Sequence, residues 1–125
     1  MRIGVPKEIK PDEYRVGIRP AGVEVLTGKG HEVCVEAGAG LGSGLSDTEY
    51  AAAGATIVDD PDELWRWSNM IVKVKEPQPD EYTRMQEGQV VFGYFHFAAD
   101  RDLTDAALKS RITAIAYETL TAPGP

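Results

Sequence analysis

The chain has 125 residues, enough for one compact domain with its own core and too few for two. Its 42% hydrophobic and 26% charged residues give the balance of a globular protein, neither disordered nor fibrous. Asp and Glu outnumber Lys and Arg by 20 to 13, and the net charge of -7 opposes the attraction to phosphate on which non-specific nucleic-acid binding depends. No apolar run approaches the roughly 20 residues of a membrane helix. The charged start Met1-Arg2-Ile3-Gly4 leads into no signal region, so the expectations are no membrane partner and a cytoplasmic location. A single cysteine, Cys34, permits no internal disulfide and no thiolate-rich metal site. It reads as a buried, inert thiol, and no metal is expected.

Arg2–Val5 is the first of six short apolar, β-rich runs. Pro20 marks the first position of a helix that Gly28 or Gly30 stops. Glu32–Glu36 is the second run, and a glycine-rich loop separates it from Ser46-Asp47-Thr48-Glu49, which has the form of a capping box. Thr56–Val58 follows, and Asp60-Pro61 opens a helix whose buried face is Leu64, Trp65 and Trp67. Met70–Val74 is the fourth run, Pro79-Asp80 opens another helix, Val90–Tyr94 is the fifth run and Asp100 opens a last helix. Thr113–Tyr117 is the sixth run, before the turn-rich tail Thr121-Ala122-Pro123-Gly124-Pro125, where the chain stops as if at a junction.

Strands that alternate with helices, and that are near-continuous apolar runs, belong to parallel sheets covered on both faces. The expected fold is therefore α/β and doubly wound: a mostly parallel sheet of about six strands with helices on both faces, Rossmann- or flavodoxin-like. In such a sheet the ligand crevice lies beyond the carboxyl ends of the strands. Those positions hold Lys7, Glu8 and Arg15 after the first strand, Lys75 after the fourth, His96 after the fifth and Glu118 after the sixth. Arginine and lysine suit a small carboxylate, the first as a planar fork and the second as a point charge. Imidazole suits proton transfer near neutral pH. Each position also has a plainer alternative: a solvated arginine at Arg15, a salt bridge from Lys75 to Glu76 or Glu8, and a hydrogen-bonded core histidine at His96. His31 lies at the opposite end of its strand and reads as a surface residue.

The stretch Gly38-Ala39-Gly40-Leu41-Gly42-Ser43-Gly44 imitates a dinucleotide fingerprint, with Asp59 and Asp60 about twenty residues on. Neither frame fits, because Ser43 or Leu45 falls where the third glycine belongs. The loop is also too long for the tight turn that aims backbone N–H groups at a pyrophosphate. It reads as a connecting loop, and no cofactor is expected to bind this chain tightly.

The opening Met1-Arg2-Ile3-Gly4-Val5-Pro6-Lys7-Glu8, followed by Glu13-Tyr14-Arg15-Val16, resembles that of the alanine dehydrogenases. Further blocks are similar in order and spacing: Pro20-Ala21-Gly22-Val23, Gly30-His31-Glu32-Val33, Ala37–Ser43, Val72-Lys73-Val74-Lys75-Glu76-Pro77 and Ile115-Ala116-Tyr117-Glu118-Thr119. The resemblance implies that residues 1–125 are the N-terminal, substrate-binding domain of an NAD-dependent alanine dehydrogenase. In it Arg15 and Lys75 would hold pyruvate or L-alanine, His96 would be the acid/base, and Glu8 and Glu118 would support them. It further implies that the NAD-binding Rossmann domain is absent from this chain, which alone would be inactive, and that the whole enzyme is a homo-oligomer, a hexamer in the family. Gly17 and Arg19 stand where small apolar and Thr residues are commoner, and Phe97 where leucine is usual. Alternatives are the N-terminal domain of a proton-translocating NAD(P) transhydrogenase alpha subunit, a more distant kinship with saccharopine dehydrogenase, and a non-catalytic module that only binds small acids.

Overall fold

The computed structural model describes residues 1–123; Gly124 and Pro125 of the turn-rich tail lie outside the described residues. Six strands form one sheet: β1 (Arg2–Val5), β2 (Glu32–Glu36), β3 (Thr56–Val58), β4 (Met70–Val72), β5 (Val90–Gly93) and β6 (Thr113–Ala116). All pairings are parallel, in the order β3-β2-β1-β4-β5-β6. This is the Rossmann order rather than that of flavodoxin. The helices α1 (Pro20–Gly28), α2 (Asp47–Ala52), α3 (Pro61–Trp67) and α4 (Arg101–Ser110) cover the sheet.

Strand alternation divides the core between the two faces. Ile3, Val5, Val33 and Val35 pack with Val23 of α1 and Tyr50 of α2. Cys34, Ile71 and Val91 point the other way, to Leu64 and Trp65 of α3 and Leu103 of α4. Cys34 is a buried free thiol, and burial pushes its pKa up. Gly4 occupies a place in β1 that no side chain could share, since a Cβ there would stand 2.0 Å from Ser68 Oγ at the end of α3.

The helix starts follow their local signals. Glu49 donates its backbone N–H to Ser46 Oγ at 3.1 Å, and Ser46 returns its own to Glu49 Oε1 at 3.3 Å, closing the capping box. Asp60 accepts from the backbone of Asp62 with Pro61 at the first turn, and Asp100 accepts from that of Leu103. The segment at Pro79 differs from expectation: Pro79–Arg84 is a 3-10 helix, begun by a bond from Glu81 N to Gln78 O. Three strands end one or two residues earlier than their apolar runs, at Val72, Gly93 and Ala116. No described helix is long and apolar enough to cross a membrane.

Candidate functional site

The strand order reverses between β1 and β4, which pair only through Ile3 with Met70 and Gly4 with Ile71. Beyond these pairs the following segments diverge, leaving backbone groups at the carboxyl edge without a strand partner. Glu8, on the segment after β1, fills that gap. Its Oε2 accepts from Val74 N at 3.1 Å and its Oε1 from Lys75 N at 3.0 Å. On the other flank Val74 O accepts from Tyr94 N at 3.2 Å and from the Tyr117 hydroxyl. Burial pushes the Tyr117 hydroxyl up, the nearby Arg15 charge opposing it, so the phenol stays protonated and able to donate. The run 73–75 thus leaves β4 tethered from both sides, which is why the strand stops at Val72.

Lys75 emerges from this clamp half-buried, with its Nζ 5.2 Å from the centre of the Tyr94 ring. Neither salt bridge considered for it forms within 4.0 Å among the described residues: Glu76 pairs with Lys10, and Glu8 takes the Lys75 backbone instead. The His96 ring meets the same tyrosine edge-on, centres 5.7 Å apart, so Lys75 and His96 share Tyr94 as a common neighbour. Tyr94 in turn lies 6.2 Å from Tyr117, centre to centre. His96 is exposed, not a core histidine. It sits in the left-handed region at φ 52°, ψ 48°, an uncommon conformation for a residue with a Cβ. Glu118 holds that turn by accepting from Phe95 N at 3.0 Å and His96 N at 2.9 Å. Burial alone would raise the Glu118 carboxyl, but these backbone donors outweigh it and its pKa falls below the ordinary value.

Arg15 lies in the loop beside the end of β4, where Gly17 packs so closely that a Cβ would come 2.6 Å from Val72 O. Its guanidinium is two-thirds exposed and pairs with Glu13, from Nε to Oε2 at 2.9 Å and from Nη2 to Oε1 at 2.7 Å. This hydrogen-bonded pairing pulls the Glu13 carboxyl down to about 2 and pushes Arg15 further up. Only one edge of the guanidinium is used: Nη1 and the second Nη2 hydrogen stay open for another planar acceptor. Arg15, Val16, Arg19, Ser43, Leu45 and Val74 line a cavity of about 290 Å³ at this edge. Lys7 is exposed, and its backbone N–H bonds Glu36 Oε1 at 3.2 Å. His31, at the far edge, stands 3.3 Å from the N-terminal amine.

The glycine loop turns back on itself. It contains a short 3-10 turn, Leu41–Ser43, and Asp47 accepts the backbone N–H of Gly38 at 2.9 Å. The amides of Leu41, Ser43, Gly44 and Leu45 bond carbonyls within the loop. These residues do not fit a pyrophosphate, which needs free amides converging at a helix start. Among the described residues, no group of three or more His, Cys, Asp or Glu could hold a metal.

Five residues of this edge are absent from the set read off the sequence: Glu13, Lys73, Glu81, Tyr94 and Tyr117. Lys73 had a legible signal, a lone cation within the apolar run Met70–Val74. Glu81 had another, the third helical position after Gln78, whose backbone N–H its Oε1 accepts at 2.9 Å. Tyr94 and Tyr117 read as strand residues in the sequence, because aromatic side chains are common in strands.

Residues 4–124 match the family described as "Alanine dehydrogenase/PNT, N-terminal domain". The chain belongs to this family. Among curated alanine dehydrogenases, it is 54% identical over 120 residues to that of Mycolicibacterium smegmatis, covering 96% of this chain and 32% of that protein. It is 51% identical over 120 residues to that of Bacillus subtilis, again covering 96% and 32%. A solved L-alanine dehydrogenase superposes with a TM-score of 0.95 at 49% identity, over 98% of this chain and 34% of that one. The transhydrogenase from Sinorhizobium meliloti is more distant, at 30% identity and a TM-score of 0.90, over 98% and 35%. The chain therefore spans about a third of the length of these relatives. The family's alanine dehydrogenases, rather than its transhydrogenases, are the nearer kin.

Proposed function

We propose that residues 1–125 are the N-terminal substrate-binding domain of an NAD-dependent alanine dehydrogenase, in which L-alanine, NAD and water give pyruvate, ammonium and NADH. The observation that carries the proposal is the sharing of one aromatic neighbour by Lys75 and His96 at the carboxyl edge of the sheet, with Arg15 lining a cavity together with Val74, the neighbour of Lys75. The open edge of the Arg15 guanidinium takes the substrate carboxylate as a bidentate pair. Lys75 supplies a point charge to the substrate carbonyl oxygen. His96, exposed and free to turn, moves the proton when water adds to the imine carbon. Glu8 and Glu118 act at one remove, through the backbone of Lys75 and of His96.

Oxidation of the α-carbon requires the nicotinamide, and the described loops do not fit its pyrophosphate. Its binding is therefore assigned to an NAD-binding domain in the two-thirds of the relatives' length that this chain does not cover. Assembly into a homo-oligomer belongs to the same proposal.

Titration of the 125-residue chain with pyruvate, followed by nuclear magnetic resonance, tests the assignment. Weak binding is expected, and Arg15→Ala or Lys75→Ala should weaken it by about tenfold or more, each removing a charge-assisted contact. Unchanged affinity in both variants would sink it. NADH consumption by residues 1–125 alone would count against assigning NAD binding to the uncovered part of the relatives' length.

A further inference from the structure

Beneath the edge that carries Lys75 lies a second lysine that takes no part in the proposed chemistry. The Lys73 side chain is 1% exposed, and so are those of Glu8 and Glu81, the two carboxylates that flank it. Its Nζ is 3.2 Å from Glu8 Oε1 and 3.3 Å from Glu81 Oε2. Burial pushes the Glu81 carboxyl up, with Lys73 opposing the rise. Three ionisable groups out of water are costly, and apolar residues would fill the same space at less expense.

What distinguishes the two carboxylates is their second set of partners. Glu81 closes its own helix start by accepting from Gln78 N. Glu8 accepts instead from Val74 N and Lys75 N, on different oxygens, at the point where β1 and β4 part. Its Oε1 is shared between the Lys73 ammonium and the Lys75 amide, so the cation draws the carboxylate to the position that fixes the Lys75 main chain. Lys73 itself is fixed by the bond from its backbone N to Phe92 O at 2.9 Å.

We infer that Lys73 and Glu8 are positioning residues for Lys75. The buried ammonium holds the Glu8 carboxylate in the gap between the diverging strands, and Glu8 serves there as the strand partner that the Val74 and Lys75 amides lack. Glu81 balances Lys73 and has no hold on those amides. The inference rests on the assignment of Lys75 to the substrate.

Amide hydrogen exchange and pyruvate titration of the intact 125-residue chain test both layers separately. Glu8→Gln keeps the volume but leaves one carbonyl oxygen for amides that now use two. It should speed exchange at Val74 or Lys75 by about tenfold or more and weaken pyruvate binding by a comparable factor, while amides in β2 and α2 keep their rates. Glu81→Gln removes a carboxylate that is just as buried and touches the same lysine, so it is the control for a merely structural role. It should leave the two amides slow and pyruvate affinity within about twofold. If Glu8→Gln does not fold, Glu8→Asp, which withdraws the carboxylate by one methylene, should give the same two losses. Unchanged amides and affinity in the folded Glu8 variant, or equal losses in Glu8→Gln and Glu81→Gln, would overturn the inference. If Lys75→Ala leaves pyruvate binding untouched while Glu8→Gln still frees the amides, the substrate assignment fails and the clamp stands.

Discussion

Replacing Lys73 by methionine tests how much of the domain's stability runs through its buried charges. The substitution keeps the volume and removes the one cation between Glu8 and Glu81, whose side chains are each 1% exposed. Glu8 keeps two backbone donors and Glu81 keeps one, so neither is stripped of partners, but the attraction that offset their desolvation is gone. Removing one partner of a buried pair costs about 3–5 kcal/mol, against a total stability of about 5–15 kcal/mol for a domain. At about 4 °C per kcal/mol for a chain of this size, Tm should fall by roughly 12–20 °C. The loss should also depend on pH. Burial already raises Glu81 in the wild-type chain, and without Lys73 it rises further. A carboxyl raised in the folded state carries no penalty while it is protonated in both states. The penalty appears as pH climbs above the ordinary value of 4.5 and is complete above the folded value. Thermal melts of wild type and Lys73→Met should therefore converge at about pH 4, below the ordinary carboxyl value, and separate by about pH 8. Adding Glu81→Gln should recover part of the loss. A Lys73→Met variant within about 1 kcal/mol of wild type at the higher pH would refute the assignment of a paired buried ammonium.

Three further outcomes follow from the geometry. Glu118→Ala removes the acceptor of the Phe95 and His96 amides, and a left-handed non-glycine residue costs about 1–2 kcal/mol unless held, so exchange at both amides should speed up while Tm barely moves; protected amides in the variant would show that another contact holds the turn. Acidification should loosen the loop 10–17 first: a carboxyl lowered to about 2 contributes stability above its ordinary 4.5 and loses it as pH falls between the two values. Because Arg15 is largely exposed, salt should weaken that effect, and a Glu13 carboxyl titrating at the ordinary value would contradict it. Gly4→Ala forces a Cβ against Ser68 Oγ and should cost about 1–3 kcal/mol in denaturant unfolding, with partial recovery in the Gly4→Ala, Ser68→Ala double variant; an unchanged midpoint would mean that α3 is free to move.

The layered fold was legible because each element carries its own local cause. Ser46 with Glu49, Asp60 with Pro61 and Asp100 all announce helix starts before any tertiary contact exists, and β1, β2 and β3 begin and end where the apolar runs do. Strand ends were less legible where a distant side chain ends the ladder. Val74 looks like a strand residue by type, and only Glu8, 66 positions away, takes its amide. Strand direction alone puts the positions of Lys75, His96 and Glu118, just beyond β4, β5 and β6, at one edge. Conformation is not legible in this way: the left-handed turn at His96 and the Glu13 pairing of Arg15 depend on partners that periodicity does not reveal. The burial of Lys73 is illegible for a related reason, since its place in an apolar run is the same whether its ammonium is buried or snorkels to water.

His96 is held by hydrogen bonds to its main chain and by the packing of its ring against Tyr94. Among the described residues its imidazole nitrogens make no hydrogen bond, and Glu118 grips only the amides of residues 95 and 96. No described residue therefore favours one ring nitrogen over the other as the donor. On the proposed assignment, a keto acid seated beside the ring would choose which nitrogen carries the hydrogen.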